Sequence, residues 1–283
     1  MAKMLISRFA PSPTGRLHLG HGFSALRAYD LARAADGRFL LRIEDIDPAR
    51  CRPEHVAGII EDLAWLGLDW DEPPVFQSQR LPLYAAALDR LKAAGLAYPC
   101  FCTRTRIAVE IAASAAAPHG PDGPLYPGIC RRLSDADRAA RIAAGEAHAW
   151  RLDVEKAEAL AGPLTWHDAR AGAVTAIPAI HGDIVLARKD APTSYHLAVT
   201  VDDAAQGVTD VVRGQDLFAA THVHRLLQAL LGLPVPRYHH HALLTDDRGE
   251  RLAKRAGSPT LASMRAGGAD AGKLVAQLRK PRP

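Results

Sequence analysis

The sequence predicts an α/β protein built on a parallel sheet whose strands are joined by crossover helices. Two observations carry this prediction. Strand-like apolar runs alternate with helical segments along most of the chain, which is the order typical of crossover connections. The 283 residues are 48% hydrophobic and 23% charged, so the chain has the composition of a globular protein. It is also long enough to bury a substantial core in one or two domains.

The first predicted element is a strand, a turn and a helix that carries two histidines. Leu5 to Phe9 forms the strand, and a Pro/Gly turn leads into a helix with His18 and His21 in its first turn. Residues three apart share one helix face, and a helix N-terminus favours anions. Gly20 lets a flat group lie close to the backbone. The unit predicts a site for a nucleoside triphosphate without a Walker loop; the alternative is an ordinary turn with surface histidines.

Further strands and helices follow in alternation up to residue 97. Arg38 to Ile43 is predicted as a second strand and ends in an acidic cluster that begins with Glu44. A helix from about Pro53 to Leu66 is stopped by Gly67, and another runs from about Leu83 to Ala94. The buried stripe of the first of these helices comprises Val56, Ile59, Ile60 and Leu63.

The pattern changes after Tyr98, and the stretch to about Ala187 is predicted to be an insertion. It holds a cysteine cluster and a Gly/Pro-rich loop instead of regular alternation. Beyond it we predict two strands, a helix and a basic segment that frays, at Tyr195 to Val201, Thr209 to Val212, Thr221 to Leu231 and 267–283. The predicted division is a main domain in two parts (1–97 and 188–260), the insertion (98–187) and a C-terminal tail (261–283).

Composition and charge exclude several classes of protein. No run of about 18 apolar residues predicts a membrane span, and the N-terminal strand leaves no room for a signal peptide. The net charge of +4 and the pI of about 9.0 allow a polyanionic partner without requiring one. We therefore expect a cytoplasmic protein with no membrane partner. Its four cysteines are expected to be thiols or metal ligands, not disulfides.

Three of the four cysteines cluster in the insertion. Cys100 and Cys102 are followed by Tyr126 and Cys130, so three thiols and a phenol offer four ligands. Zinc favours tetrahedral, sulfur-rich sites and binds thiolates. A phenolate ligand is unusual, which leaves an incomplete site or plain core cysteines as alternatives. The clustering in a segment that otherwise lacks a core favours zinc, whereas Cys51 stands apart as an ordinary thiol.

Two motifs resemble the signatures of one enzyme family. The stretch from Arg8 to His21, RFAPSPTGRLHLGH, resembles the HIGH signature of class I aminoacyl-tRNA synthetases in its glutamyl/glutaminyl form. The basic stretch Arg251–Arg255 is similar to the family's KMSKS loop, with Lys254 as its second lysine. Ala253 and Arg255 replace small hydroxyl residues there, and a basic run by itself is usually a solvated face. The resemblance implies a Rossmann-like nucleotide-binding fold in which Lys254 neutralises triphosphate charge.

The cysteine pattern indicates which members of this enzyme family the chain resembles. Cys-x-Cys followed by Tyr-x3-Cys is similar to the zinc site of the small glutamyl-queuosine tRNA(Asp) synthetases, which are truncated relatives of glutamyl-tRNA synthetase. The resemblance implies one structural zinc ion per chain, held by Cys100, Cys102, Tyr126 and Cys130. Only 28 residues follow Arg255, so no anticodon-binding domain of ordinary size is expected.

The same resemblance assigns residues to a glutamate pocket. Free glutamate has two carboxylates and one ammonium, and arginine suits carboxylates because its planar fork binds both oxygens. Glu44 is assigned to the ammonium, and Arg8 and Arg213 are assigned to the carboxylates in an order that stays open. The alternative is that Arg8 and Glu44 pair with each other and only stabilise the sheet. The full set is Arg8, Phe9, Ala10, Pro11, Ser12, Glu44, Tyr195 and Arg213.

The resemblance implies a reaction without an enzyme nucleophile. A glutamate carboxylate attacks the α-phosphorus of ATP to give glutamyl-adenylate, and glutamate then passes to the queuosine base in the anticodon loop of tRNA(Asp). His18, Gly20, His21 and Lys254 are expected to bind ATP with its Mg²⁺, and all but Gly20 to be catalytic. The alternatives are a truncated glutamyl-tRNA synthetase that charges tRNA(Glu) and a non-catalytic RNA-binding paralogue. We expect a monomer.

Overall fold

The computed structural model describes residues 4–113, 119–121, 123–244 and 259–280, so the predicted nucleotide loop with Lys254 lies outside the described residues. The strands are β1 (Ile6–Phe9), β2 (Arg38–Ile43), β3 (Val75–Phe76), β4 (Ala97–Cys100), β5 (His119–Gly120), β6 (Gly123–Pro124), β7 (Ala149–Leu152), β8 (Thr165–Asp168), β9 (Gly172–Thr175), β10 (Val185–Ala187), β11 (Asp210–Gly214) and β12 (Arg237–His241). The helices are α1 (Leu19–Ala34), α2 (Pro53–Trp65), α3 (Leu81–Ala93), α4 (Arg104–Ala113), α5 (Asp135–Ala143), α6 (Val154–Ala161), α7 (Tyr195–Ala205), α8 (Ala220–Leu230), α9 (Leu261–Ala266) and α10 (Ala271–Arg279). None of the described helices combines the length and apolarity needed to cross a bilayer.

The main sheet is parallel, as the sequence predicts. β1, β2 and β3 pair in parallel, with Ile6 opposite Arg38 and Phe9 opposite Leu41. β11 begins beside β1, because the Thr209 amide donates to the Ile6 carbonyl at 2.9 Å. β12 and β8 continue the parallel order beyond β11, and β9 closes that edge in antiparallel orientation. The predicted α/β class with a parallel sheet is therefore confirmed.

The largest core lies between this sheet and the helices α1, α2 and α10. Phe39, Leu41 and Ile43 of β2 are buried together with Leu26 of α1 and Leu63 of α2. Each such side chain stabilises the fold by about 1.5–3 kcal/mol when it leaves water. The packing also holds the first turn of α1 beside the C-terminal ends of β1 and β2.

The segment from β4 to β10 builds a smaller antiparallel sheet and also extends the main one. β7 lies between β4 and β10 in antiparallel pairing. β8 instead pairs with β12 of the main sheet, with Asp168 opposite Tyr238. The predicted insertion thus contributes the β8–β9 hairpin to the main sheet, and the domain boundaries stay a prediction.

The prediction of a strand at Tyr195 to Val201 is wrong, because these residues form most of α7. The helix is enclosed on several sides, so it lacks the apolar–polar period of a surface helix. Periodicity alone does not distinguish such a short apolar run from a buried strand. Its consecutive buried residues are Leu197, Ala198, Val199 and Thr200.

The prediction of a fraying C-terminal segment is also wrong over the residues that the structure describes. Leu274 and Leu278 of α10 are buried in the main core, four residues apart on one helix face. Arg279 adds a two-point ion pair with Asp30 of α1, at 2.9 and 2.6 Å. Small and basic residues on the outer face hide this apolar pair in the sequence.

Candidate active site

A cavity of about 440 Å³ opens at the C-terminal ends of the parallel strands. Its wall comes from the ends of β1, β2, β11 and β12 and from the first turn of α1. Open parallel sheets bind ligands at this edge, where strand ends and helix N-termini meet. Every predicted glutamate and ATP residue in the described part of the chain lines it: Arg8, Phe9, Ala10, Pro11, Ser12, His18, Gly20, His21, Glu44, Tyr195 and Arg213.

The two histidines of the first motif form the N-terminal cap of α1. His18 is the N-cap residue, and its Nδ1 accepts a hydrogen bond from the Gly20 amide at 3.1 Å. The Nδ1 of His21 accepts from the His18 amide at 3.2 Å, which completes a reciprocal capping box. The rings lie side by side with centroids 3.8 Å apart. Since each neutral ring accepts at Nδ1, its Nε2 carries the proton and is a donor suited to a phosphate oxygen.

Arg8 is buried and paired with a carboxylate that the sequence interpretation missed. Its Nε and Nη2 donate to the two oxygens of Asp203 at 2.9 and 3.2 Å. Arg42 donates to the same carboxylate at 2.8 Å and to Glu44 at 3.3 Å. Burial acts to raise the pKa of Asp203, but the charges of Arg8 and Arg42 outweigh it and hold that pKa at about 2. Arg8 and Glu44 therefore have Asp203 and Arg42 as hydrogen-bond partners instead of each other.

Arg213 is buried on β11, and its hydrogen-bond partners are all neutral. Nε donates to His240 Nε2 at 3.1 Å, Nη1 to His224 Nδ1 at 3.2 Å and Nη2 to Thr221 Oγ1 at 2.6 Å. Burial and the charge of Arg213 lower the pKa of His240 to about 4 and that of His224 well below its usual value. Across the described ranges, no carboxylate lies within ion-pair distance of Arg213. Its charge is therefore available to an anion in the cavity.

Glu44 follows β2 and is held beside the first motif. Its backbone amide donates to the Pro11 carbonyl at 3.0 Å. Burial raises the pKa of its carboxyl group above the usual value, against the opposing charges of Arg42 and Arg8. The Glu44 carboxyl group of the cavity therefore takes up a proton at a higher pH than an ordinary glutamate side chain.

The raised pKa of Glu44 predicts a pH-dependent affinity for glutamate. If the ionised carboxylate binds the substrate ammonium, binding weakens as the pH falls through this raised pKa. We expect the KM for glutamate in ATP–pyrophosphate exchange to rise as the pH is lowered from neutral toward the ordinary pKa of a glutamate side chain. Glu44→Gln does not ionise, so its higher KM should stay constant over the same range. A wild-type KM that is equally constant would contradict the assignment.

The sequence analysis named Tyr195, which begins α7 and has its ring 5.6 Å from that of His224. It did not predict a second group of residues that line the cavity. The run of three histidines, 239–241, at the end of β12 is the signal that could have drawn attention to this edge. The lining residues that were not predicted are Phe23, Ser24, Val212, Gly214, Asp216, Leu217, His241, Leu243 and Leu244.

The cysteine cluster lies at the end of β4, in the antiparallel sheet. The Sγ atoms of Cys100, Cys102 and Cys130 lie within 4.8 Å of one another, and all three residues are buried. Tyr126 Oη is 3.4 Å from Cys100 Sγ and 3.7 Å from Cys102 Sγ, and it accepts a hydrogen bond from the Cys130 amide at 2.8 Å. Three converging thiols could hold a metal ion, and the adjacent phenol offers a fourth donor. Cys51 is half-buried and lies outside the cluster.

Comparison with known proteins identifies the family. The model of the tRNA synthetases class I (E and Q) catalytic domain matches residues 4–277. The chain belongs to this family. One similar family member is the glutamyl-Q tRNA(Asp) synthetase of Rhodobacter capsulatus, 54% identical over 273 residues that cover 94% of this chain and 96% of the relative. The glutamyl-Q tRNA(Asp) synthetase of Symbiobacterium thermophilum is 47% identical over 285 residues, which cover 97% of this chain and 85% of that relative.

Solved structures of the family share the fold. The glutamate-tRNA synthetase of Elizabethkingia anophelis superposes with a TM-score of 0.77 at 27% identity, covering 91% of this chain and 55% of that enzyme. A glutamate tRNA ligase of Elizabethkingia meningosepticum, solved in complex with its amino acid, gives a TM-score of 0.76 at 27% identity. The match covers 54% of that ligase, so this chain spans about half the length of these two enzymes.

Proposed function

We propose that the chain is a tRNA-modifying ligase. It activates glutamate with ATP to glutamyl-adenylate, releasing pyrophosphate, and then transfers the glutamyl group to a hydroxyl of the queuosine base in the anticodon loop of tRNA(Asp), releasing AMP. The observation that carries the activation step is a single cavity in which two arginines, Glu44 and the capped histidines converge. The acceptor is supported by the names of relatives that are 54% and 47% identical over nearly the whole chain.

Three charged groups of the cavity, two arginines and Glu44, match the two carboxylates and the ammonium of free glutamate. Arg213 has neutral partners, so its guanidinium suits a carboxylate of the substrate. Arg8 holds Asp203 through Nε and Nη2, and among the residues that the structure describes its Nη1 has only a long contact of 3.5 Å to the Val212 carbonyl. That nitrogen can donate to the second carboxylate, while Glu44 accepts from the ammonium. Which arginine holds which carboxylate stays open.

The N-terminus of α1 suits the triphosphate of ATP. The Nε2–H groups of His18 and His21 and the backbone near Gly20 offer donors to phosphate oxygens. Lys254, which the sequence assigns to the nucleotide loop, adds a cation to this set. Mg²⁺ bound to the nucleotide neutralises further phosphate charge. The protein groups hold the glutamate carboxylate in line with the α-phosphorus and stabilise the charge that develops on its oxygens.

Substitution of Lys254 tests the nucleotide loop. Lys254→Ala is expected to reduce kcat for ATP–pyrophosphate exchange by about 10²-fold, because one donor to the transition state is lost. Lys273→Ala, an exposed lysine of α10, is the matched control and should exchange at the wild-type rate. An unchanged rate in Lys254→Ala would remove this residue from the mechanism.

The metal at the cysteine cluster is proposed to be one structural zinc ion. Three buried thiols are the donor set that zinc favours, and Tyr126 would be the fourth ligand. Such an ion would connect the end of β4 with the turn at Cys130 and so stiffen the antiparallel sheet. It would have no part in the chemical steps.

A second function has one observation in its favour. The solved structures that share this fold are glutamate-tRNA synthetases, which makes charging of tRNA(Glu) the main competitor. Their identity of 27% is half that of the first relative named above. The monomeric state and the cytoplasmic location stay predictions.

Amino-acid-dependent ATP–pyrophosphate exchange tests the activation step. Purified protein is assayed with glutamate, glutamine or aspartate, with and without bulk tRNA. The proposal expects exchange with glutamate alone among the three. No exchange under either condition would contradict the ligase and favour a non-catalytic RNA-binding protein.

A further inference from the structure

Arg213 contacts a layer of side chains that does not line the cavity. The guanidinium donates to His240, His224 and Thr221, and it lies over the Tyr238 ring at 5.3 Å. None of these four side chains belongs to the cavity wall. The layer therefore acts on a ligand through the side chains that it contacts, chiefly Arg213 and, from His224, the Tyr195 ring 5.6 Å away.

His240 is itself fixed by Asp168. Its Nδ1 donates to Asp168 Oδ2 at 2.8 Å, and its backbone amide donates to the same oxygen at 3.2 Å. The other carboxylate oxygen accepts from the amides of Arg170 and Ala171, each at 2.9 Å. Because Asp168 receives the Nδ1 proton, His240 Nε2 presents a lone pair and accepts from Arg213.

The two arginines of the cavity are held in contrasting ways. Arg8 contacts the Asp203 carboxylate directly, so its charge is largely balanced inside the protein. The Asp168 carboxylate is separated from Arg213 by the imidazole ring of His240. The ring fixes the direction of the guanidinium but keeps the anion away from it. Arg213 is thus oriented without being neutralised.

We propose that His240 and Asp168 are positioning residues of the glutamate site, holding the Arg213 guanidinium through a neutral imidazole so that its charge serves a carboxylate of the substrate. This inference rests on the proposed function, because it takes Arg213 as a ligand of glutamate. It implies that the affinity for glutamate depends on two residues that do not contact it.

Three variants in ATP–pyrophosphate exchange test the role. His240→Leu removes the acceptor and is expected to raise the KM for glutamate about 10- to 100-fold, while the KM for ATP changes by less than about 3-fold. His240→Gln retains an acceptor for Arg213 and a donor for Asp168, so it should restore most of the affinity. Asp168→Asn presents an amide N–H to His240, and this favours the tautomer of His240 that is protonated at Nε2. That tautomer turns a donor toward Arg213, so we expect a similar rise in the KM for glutamate.

A neighbouring histidine provides the matched control. His239 precedes His240 on β12 and pairs with a different carboxylate, Asp210, at 2.8 Å. His239→Leu should leave both KM values at the wild-type level. Thermal unfolding of each variant separates loss of fold from loss of affinity, since a purely structural role would not change the glutamate KM selectively.

The ring of His240 in the wild-type protein gives a readout that needs no variant and no activity. Nitrogen-15 NMR at neutral pH is expected to show a neutral imidazole protonated at Nδ1. A ring protonated at Nε2, or at both nitrogens, would overturn the positioning role.

The outcomes separate this inference from the proposed function. An unchanged glutamate KM in His240→Leu and Asp168→Asn overturns the positioning role and leaves the ligase intact. Glutamate activation with the expected KM effects, but without transfer to queuosine-containing tRNA(Asp), overturns the acceptor and leaves the positioning role standing. A wild-type protein that does not activate glutamate overturns both.

Discussion

Arg213→Gln is expected to reduce kcat/KM for glutamate in ATP–pyrophosphate exchange by about 10³-fold. The guanidinium is buried, oriented by three hydrogen bonds and paired with no carboxylate among the described residues. A substrate carboxylate would be its charged partner, and loss of one member of a buried charge pair costs about 2–5 kcal/mol or more. Since about 1.4 kcal/mol corresponds to a factor of ten, the expected loss lies in the upper part of this range.

ATP–pyrophosphate exchange is measured at varied glutamate concentration and saturating ATP. Arg237→Gln is a matched control, because Arg237 begins β12, is largely exposed and lies outside the cavity. It should behave as wild type. A change of less than about 3-fold in Arg213→Gln, in a protein that still unfolds cooperatively, would show that Arg213 does not bind the amino acid.

Cys130→Ser is expected to remove the metal and to destabilise the antiparallel sheet. The cluster loses one of three converging thiols, and serine is a poor ligand for zinc. Metal binding stabilises a fold that has its ligands in place, so its loss should lower the unfolding temperature by about 10 °C or more. Elemental analysis should find one zinc per wild-type chain and less than a tenth of that in the variant, as expected for a strongly bound structural ion.

Cys51→Ser is the control for this substitution. Cys51 is a free thiol outside the cluster, so its removal should leave both the metal content and the unfolding temperature unchanged. A wild-type protein without metal after growth in zinc-supplemented medium would contradict the zinc assignment. Retention of one zinc by Cys130→Ser would exclude Cys130 as a ligand.

The parts of the fold that could be predicted from the sequence are those with a local signal. β2 has the predicted bounds because a short apolar run ends in an acidic cluster, and α2 begins at the predicted Pro53. α7 could not be recognised, because burial on several sides removes the period that marks a helix. α10 was missed because only two of its residues, Leu274 and Leu278, are buried.

The residues of the candidate site also divide into those that have a local signal in the sequence and those that do not. The motif supplies Arg8, His18 and His21 within one stretch of 14 residues, so a local pattern is enough to name them. Asp203 lies 195 residues from Arg8, and Asp168 lies 72 residues from His240. Asp203 reaches Arg8 because α7 leads into β11, which begins beside β1, and Asp168 reaches His240 because β8 pairs with β12. No spacing in the sequence records these pairings.

The transfer of labelled glutamate to purified tRNA distinguishes a queuosine-modifying ligase from an enzyme that charges tRNA(Glu). The protein is incubated with ATP, labelled glutamate and tRNA(Asp) that either contains or lacks queuosine, with tRNA(Glu) in parallel. The proposed ligase is expected to place label on queuosine-containing tRNA(Asp) alone. Label on tRNA(Glu) would contradict it and identify an ordinary charging enzyme, and the absence of label from every tRNA would contradict transfer altogether.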